Sequence, residues 1–184
     1  MPTPKLPAKL LQRARRIRLL LVDVDGVLTD GGIHLLTWPD GTVSEMKVYN
    51  SQDGVALKLL RRAGVRTGMI TGRESAANLH RAQELGMDFV AQKMHEKLPA
   101  FEGILARAGL PAEEVAYVGD DLPDLVVMQR VGLAVAVANA TAEVKRAAHY
   151  TTRAAGGGGA LREVAELILR AQGKWKSLYP SAEA

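Results

Sequence analysis

Leu19-Leu20-Leu21-Val22-Asp23-Val24-Asp25-Gly26-Val27-Leu28-Thr29-Asp30-Gly31 is the stretch from which the rest of the chain is read. Four apolar residues in succession predict a strand buried on both faces, with a basic run before it and glycine after it. The strand delivers two carboxylates, Asp23 and Asp25, at i and i+2. On extended backbone both point to one side of the sheet edge. If the chain already turns there, Asp25 lies over the strand end and Gly26 lets backbone approach. In either geometry two acids meet just beyond the carboxyl end of a strand, where open parallel sheets place their ligand sites. Two uncompensated carboxylates repel and raise a pKa, so a cation is expected between them. Oxygen-only ligands favour a hard ion such as Mg2+. The plainer reading of the same residues is a turn, with Asp25 or Asp30 bonding its own backbone.

At 184 residues the chain is one domain with a substantial core. Aromatic residues make up only 4% of it, so the core is aliphatic and no base-stacking surface is suggested. The absence of cysteine excludes disulfides, thiol catalysis and cysteine-ligated zinc, and fits a cytoplasmic protein. Much of the net charge of +4 comes from Lys5, Lys9, Arg13, Arg15, Arg16 and Arg18, a segment without acids. A nucleic-acid arm would need a groove-reading motif, and none accompanies it. A targeting segment would need a longer apolar run than the one Asp23 interrupts. The segment is therefore read as a solvated basic helix over 5–18, with Pro2, Pro4 and Pro7 keeping the extreme terminus extended. No stretch approaches the roughly 20 apolar residues of a membrane span.

Downstream, two alternating runs around Trp38-Pro39-Asp40-Gly41 predict a β-hairpin inserted directly after the acidic loop. It serves as a small lid or as an edge for another subunit to pair with. Asn50 or Ser51 caps a helix that stops at Ala63-Gly64, and strand 65–70 follows. Then come a helix from Glu74 or Ser75 to Leu85, strand 87–91, helix 96–108, strand 114–119, helix 124–130 and strand 133–137. Asn139 or Thr141 caps the next helix. A glycine run, 156–159, precedes a last amphipathic helix, 161–171, and the tail carrying Trp175, Leu178 and Tyr179 is either loose or docked. Strands alternating with helices give a single α/β fold, a parallel sheet with helices on both faces.

Three strands end in polar residues that a core would reject: Asp23-Val24-Asp25, Thr71-Gly72-Arg73 and Gly119-Asp120-Asp121, about fifty residues apart. Side by side in a sheet, the first and last supply acids for an octahedral Mg2+ site. Thr71 and the N–H groups after Gly72 are placed to hold phosphoryl oxygens. Phosphate in so acidic a site needs a fixed positive charge, for which Lys97 and Lys93 are the candidates. Each piece has a plainer reading: a helix cap for Thr71-Gly72-Arg73, a solvated lysine, an acidic helix N-terminus for Asp120, Asp121 and Asp124. Helix capping does not require all of them together.

That combination, in that order, resembles the haloacid dehalogenase-like phosphohydrolases over nearly the whole chain. The match runs through Asp23-Val24-Asp25-Gly26-Val27-Leu28-Thr29, Thr71-Gly72-Arg73, Lys97 and Gly119-Asp120-Asp121-Leu122-Pro123-Asp124. Within them it is similar to the capless 3-deoxy-D-manno-octulosonate 8-phosphate phosphatase branch. The shared features are Thr29-Asp30-Gly31, the hairpin, Asn50, Asp53-Gly54, 81–86, and the glycine run with Ala160-Leu161-Arg162-Glu163-Val164. Nonulosonate 9-phosphate phosphatases share them. Asn50-Ser51-Gln52 is less bulky and less charged than the branch usually has there.

The resemblance implies a three-layer Rossmann-like parallel sheet, capless, with the hairpin 31–49 inserted after the first strand. The implied layout is a basic lead-in 1–18, a phosphatase domain 19–172 and a tail 173–184. Asp23 is the implied nucleophile, forming an aspartyl-phosphate, and Asp25 the acid and base. Mg2+ is held by Asp23, the Asp25 carbonyl and Asp120, with Asp121 nearby. Thr71 and Gly72 bind phosphate, Lys97 offsets charge, and Asp124 orients Lys97 or the metal shell. Asn50, Arg73 and 156–162, including Arg162, meet the sugar acid, in part across an interface of a homotetramer assembled through the hairpins. The glycine run is then a mobile segment that orders near ligand, or a plain linker. The implied partners are a small sugar acid phosphate and further copies of the chain, without nucleic acid or membrane. A response-regulator-like phosphoacceptor would carry its acidic pair before the phosphorylated aspartate, whereas here Asp120-Asp121 comes last. A non-catalytic scaffold would need a decayed site.

Overall fold

The computed structural model describes residues 6–178. The expectations placed on Pro2, Pro4, Lys5 and Tyr179 lie outside these residues. In chain order, α1 (Ala8–Arg15) leads into β1 (Leu19–Val22), followed by β2 (His34–Thr37) and β3 (Val43–Met46). Then come α2 (Ser51–Arg62), β4 (Arg66–Ile70), α3 (Ala76–Leu85), β5 (Phe89–Ala91), α4 (Lys97–Ala108) and β6 (Val115–Gly119). The remaining elements are α5 (Leu125–Met128), β7 (Leu133–Ala136), α6 (Ala142–Ala147), β8 (Tyr150–Thr151), α7 (Ala160–Ala171) and α8 (Trp175–Leu178).

The all-apolar β1 takes the middle of a six-stranded sheet ordered β5–β4–β1–β6–β7–β8, and every neighbouring pair is parallel. All four of its side chains are fully buried, as a strand covered on both faces requires. Helices α1, α2 and α7 pack together as one layer, with α3 beside α2, and α4, α5 and α6 form the other. β2 and β3 make a separate antiparallel hairpin. The register decides where chemistry can occur: Val22 lies opposite Met69 on one side and Val118 on the other. The residues that follow each of these, led by Asp23, Thr71 and Asp120, therefore emerge side by side at one end of the sheet.

Several expectations change in detail. The basic segment is helical over Ala8–Arg15 and is solvated on one face only, because Leu10, Ala14 and Ile17 are buried and α1 packs against α7. The helix expected over 124–130 is split into a 3₁₀ turn, Leu122–Asp124, and the short α5. Asp121 caps that turn and Pro123 lies within it. Tyr150–Thr151 adds an edge strand too short to show a period. The start of the tail is docked: Trp175 is buried between the guanidinium groups of Arg162 and Arg170, 5.0 and 4.9 Å from its ring.

The glycine run is packed against the acidic loop rather than set apart as a linker. A Cβ on Gly156 would lie 1.7 Å from the Gly26 carbonyl oxygen, and Gly157 N–H donates to the Val27 carbonyl at 3.0 Å. Asn139 bridges the two segments, accepting from Gly156 N–H at 2.7 Å and donating to the Gly26 carbonyl at 3.3 Å. The run opens into α7, whose N-cap Gly159 has no side chain to offer. Asp53 of α2 replaces it, accepting from Gly159 N–H at 3.2 Å and Arg162 N–H at 2.8 Å.

Candidate active site

Asp23 sits at the tip of β1, buried and 7% exposed. Lys97 opens α4 and reaches across the strand ends. Its Nζ lies 2.7 Å from Asp23 Oδ1 and 2.6 Å from Asp124 Oδ1. Tyr117, which points out of β6 into the same space, donates its hydroxyl to Asp124 Oδ1 at 2.7 Å. The other oxygen of Asp124 accepts the N–H groups of Asp120 and Asp121 at 2.9 and 3.3 Å. Asp124 thus ties the lysine to the acidic loop, and both of its oxygens are committed to protein donors.

Asp23, Asp120 and Asp124 present carboxylate oxygens within 4.8 Å of one another. Burial, with the charges of Asp23 and Asp124 added, pushes the Asp120 carboxyl up to about 7. Burial likewise pushes Asp23 up to about 6, against the opposing charge of Lys97. Burial alone would lower the Lys97 pKa; Asp23 and Asp124 outweigh it and raise it instead. The cluster is short of positive charge even with one lysine inside it. Its donors are all oxygens, so the residues fit a hard divalent cation, with Asp23 and Asp120 the carboxylates still free to ligate. Gly26 makes room for this, since a Cβ there would lie 2.1 Å from Asp120 Oδ2.

A cavity of about 380 Å³ opens over the cluster. Its wall brings together Asp23, Asp25, Thr71, Gly72, Arg73, Lys97, Asp120 and Asp121, all singled out in the sequence, with Met94, His95, Pro123 and Asp124. Lys93, the rival to Lys97, points to solvent and pairs with Glu74 at 3.0 Å. Asn50 and Arg162 stand outside the wall. Asn50 caps α2 through Oδ1, accepting from Gln52 and Asp53 N–H, and its Nδ2 donates to the Gly157 carbonyl at 3.3 Å. Arg162 pairs with Glu166 at 2.6 Å and stacks on Trp175.

Sequence reasoning offered the hairpin as a lid over the site but did not single out the two side chains through which it reaches the site, Lys47 and Glu45. Lys47 pairs with Asp25, and Glu45 pairs with Arg73 at 2.7 Å. It also missed Tyr117, although a phenol amid Val115, Ala116 and Val118 is a visible signal, since a buried hydroxyl needs a partner.

The fold and the site together define the class, a haloacid dehalogenase-like hydrolase. The family model of that description matches residues 87–163. The 3-deoxy-D-manno-octulosonate 8-phosphate phosphatase of Escherichia coli K12 is 42% identical over 167 residues, covering 91% of this chain and 87% of the relative. The Moraxella catarrhalis enzyme of the same name was solved with magnesium, phosphate and 3-deoxy-D-manno-octulosonate. It is 38% identical with a TM-score of 0.88, over 94% of this chain and 97% of that one. A cobalt-bound Haemophilus influenzae phosphatase is 36% identical with a TM-score of 0.85, over 93% and 97%. The chain belongs to the 3-deoxy-D-manno-octulosonate 8-phosphate phosphatase family. Among the described residues, no helix is long and apolar enough to cross a membrane.

Proposed function

We propose that the protein hydrolyses 3-deoxy-D-manno-octulosonate 8-phosphate to the free sugar acid and phosphate, with Mg2+ as cofactor. The observation that carries this is the Asp23–Lys97–Asp124 chain set in the wall of the cavity that also holds Asp25, Thr71 and Asp120. The relatives reported above support the substrate. In the first half-reaction an Asp23 oxygen bonds to phosphorus while the bond from phosphorus to the sugar oxygen breaks. Asp25 gives its proton to that leaving oxygen. In the second half Asp25 takes a proton from water, the water oxygen bonds to phosphorus, and the phosphorus–Asp23 bond breaks.

Thr71 and the N–H groups at Gly72 hold the phosphoryl oxygens, Lys97 neutralises charge shared by nucleophile and phosphoryl group, and Arg73 faces the sugar acid. Asp23, the Asp25 carbonyl and Asp120 hold Mg2+, with Asp121 beside them. When bound, the ion draws charge from the transferring phosphoryl group. Asn50 and Arg162 complete the sugar site in a homotetramer whose hairpins meet. The exposed apolar side chains of Leu35, Trp38 and Val43, 60%, 52% and 59% exposed, support that assembly.

The test is Mg2+-dependent phosphate release from a panel of 3-deoxy-D-manno-octulosonate 8-phosphate, a nonulosonate 9-phosphate, hexose and pentose phosphates and an aryl phosphate. Asp23→Asn serves as control, and light scattering gives the oligomeric state. A strong preference for the octulosonate phosphate, abolished in the control, is expected. Preference for another sugar phosphate would move the substrate, and no turnover at all would remove the phosphatase.

A further inference from the structure

We propose that Lys47, carried in by the hairpin, is the positioning residue that holds the Asp25 carboxyl group ready for proton transfer to the leaving sugar oxygen. The proposal rests on the reading of Asp25 given above and extends it to a second element of the fold.

The Lys47 side chain is 3% exposed, and its ammonium group contacts Asp25 Oδ1. Burying an ammonium group costs several kcal/mol unless a partner compensates it, and a well-packed apolar side chain would anchor the hairpin without that cost. Anchoring alone therefore does not account for a lysine here. Glu45 lies 3.8 Å from the same ammonium group and binds Arg73 at 2.7 Å, so the hairpin presents a charge-balanced pair to a pair on the catalytic loops.

The consequence falls on Asp25. Its Oδ1 is engaged by Lys47, whereas Oδ2 is buried without a hydrogen-bond partner and lies 3.8 Å from Arg73 Nε. A free aspartate exchanges its two oxygens by rotation about χ2, and that rotation is a broad, weakly restrained one. Pinning one oxygen makes the two inequivalent and leaves a defined one for the transferred proton. The proton then goes from Asp25 to the sugar oxygen as the phosphorus–oxygen bond breaks, and Lys47 keeps its own protons throughout.

A sugar alkoxide is a poor leaving group and needs that proton, whereas p-nitrophenolate leaves without it. The experiment compares Lys47→Met with wild type on 3-deoxy-D-manno-octulosonate 8-phosphate and on p-nitrophenyl phosphate. On the sugar phosphate kcat is expected to fall about 100-fold, the low end of what a positioned proton donor contributes, with KM little changed. The loss on the aryl phosphate is at least about tenfold smaller. Lys47→Arg recovers most of the sugar-phosphate rate, and Lys47→Met adds little in an Asp25→Asn background. Lys47→Gln is read in the same way if Lys47→Met does not fold. Equal losses on both substrates, or full additivity with Asp25→Asn, would overturn the positioning role while leaving the phosphatase intact. A wild-type enzyme inert toward both substrates would instead bring down the parent reading, and this one with it.

Discussion

Replacing Gly156 by alanine tests whether the glycine run is a structural backing for the acidic loop. The new Cβ would lie 1.7 Å from the Gly26 carbonyl oxygen, 2.4 Å from its carbon and 2.9 Å from the Thr29 oxygen. A carbon–oxygen contact relaxes at about 3.3 Å, so one backbone must retreat by about 1.6 Å. Nothing flexible absorbs this, because the neighbours are main chain and Asn139 already ties Gly156 to Gly26. Overpacking of this kind costs about 1–3 kcal/mol, a lowering of the thermal midpoint by ~2–4 °C for each kcal/mol in a protein this size. The larger effect is on rate. Asp25 directly precedes Gly26, and a misplacement of about 1 Å costs on the order of 100-fold in turnover. The assay is kcat on the sugar acid phosphate beside urea unfolding, with Gly158→Ala as control, since the nearest atom to a Cβ there is 3.1 Å away. Wild-type turnover and stability in Gly156→Ala, or equal damage from Gly158→Ala, would refute the reasoning.

Lys97→Met leaves Asp23 and Asp124 buried without their shared cation, so a loss of ~3–5 kcal/mol in urea unfolding is expected together with loss of phosphate release; turnover within tenfold of wild type would count against the role given to Lys97. Asp53→Ala removes the acceptor for the α7 N-terminus and is expected to cost ~2–3 kcal/mol in urea unfolding, whereas Asp53→Asn keeps one acceptor and costs ~1 kcal/mol. Asp23 and Asp120 bind protons more tightly folded than unfolded, at about 6 and about 7 against an ordinary 3.8. In the metal-free protein the stability these two groups contribute is therefore full below about pH 4 and is lost as pH rises through 6 and 7; for Asp23 alone the rise from 3.8 to about 6 corresponds to ~3 kcal/mol. Mg2+ binds the deprotonated forms, so its stabilising increment grows over the same window; thermal midpoints in chelator and in Mg2+ across that range measure both trends, and a flat chelator profile contradicts the assignment.

The fold was readable because Leu19–Val22, Arg66–Ile70 and Val115–Gly119 each pass abruptly from apolar residues to Asp, Thr or Asp, and a parallel sheet aligns those transitions. The cavity wall was readable for the same reason: Asp23, Thr71, Lys97 and Asp120 are local to strand or helix ends. What escaped depends on pairings that no local pattern encodes. Lys47 lies in an exposed-looking hairpin, and its burial arises only when that hairpin folds back over Asp25, 22 residues earlier. Leu10, Ala14 and Ile17 form a helical stripe that the arginines between them obscure, and it needs α7, far along the chain, to cover it. The glycines at 156–159 look like flexibility in a sequence, because a string of letters does not reveal the backbone of Gly26 pressing against them.

The central position of β1 bears on how the protein is made. This strand leaves the ribosome first of the six, and β4 closes one of its edges once Ile70 has been synthesised. The other edge waits for β6, which is complete only at Gly119. At ~5–20 residues per second the intervening stretch takes ~2–10 s, during which a four-residue aliphatic strand presents one unpaired side. Until Lys97 is made, partway through that interval, Asp23 has neither Lys97 nor Asp124, and with Asp25 it puts two bare negative charges at the strand's end. Such charges discourage a second nascent chain from adding to the open side. The two acids proposed above as nucleophile and as proton donor are thus also the charges at the open end of the unfinished sheet.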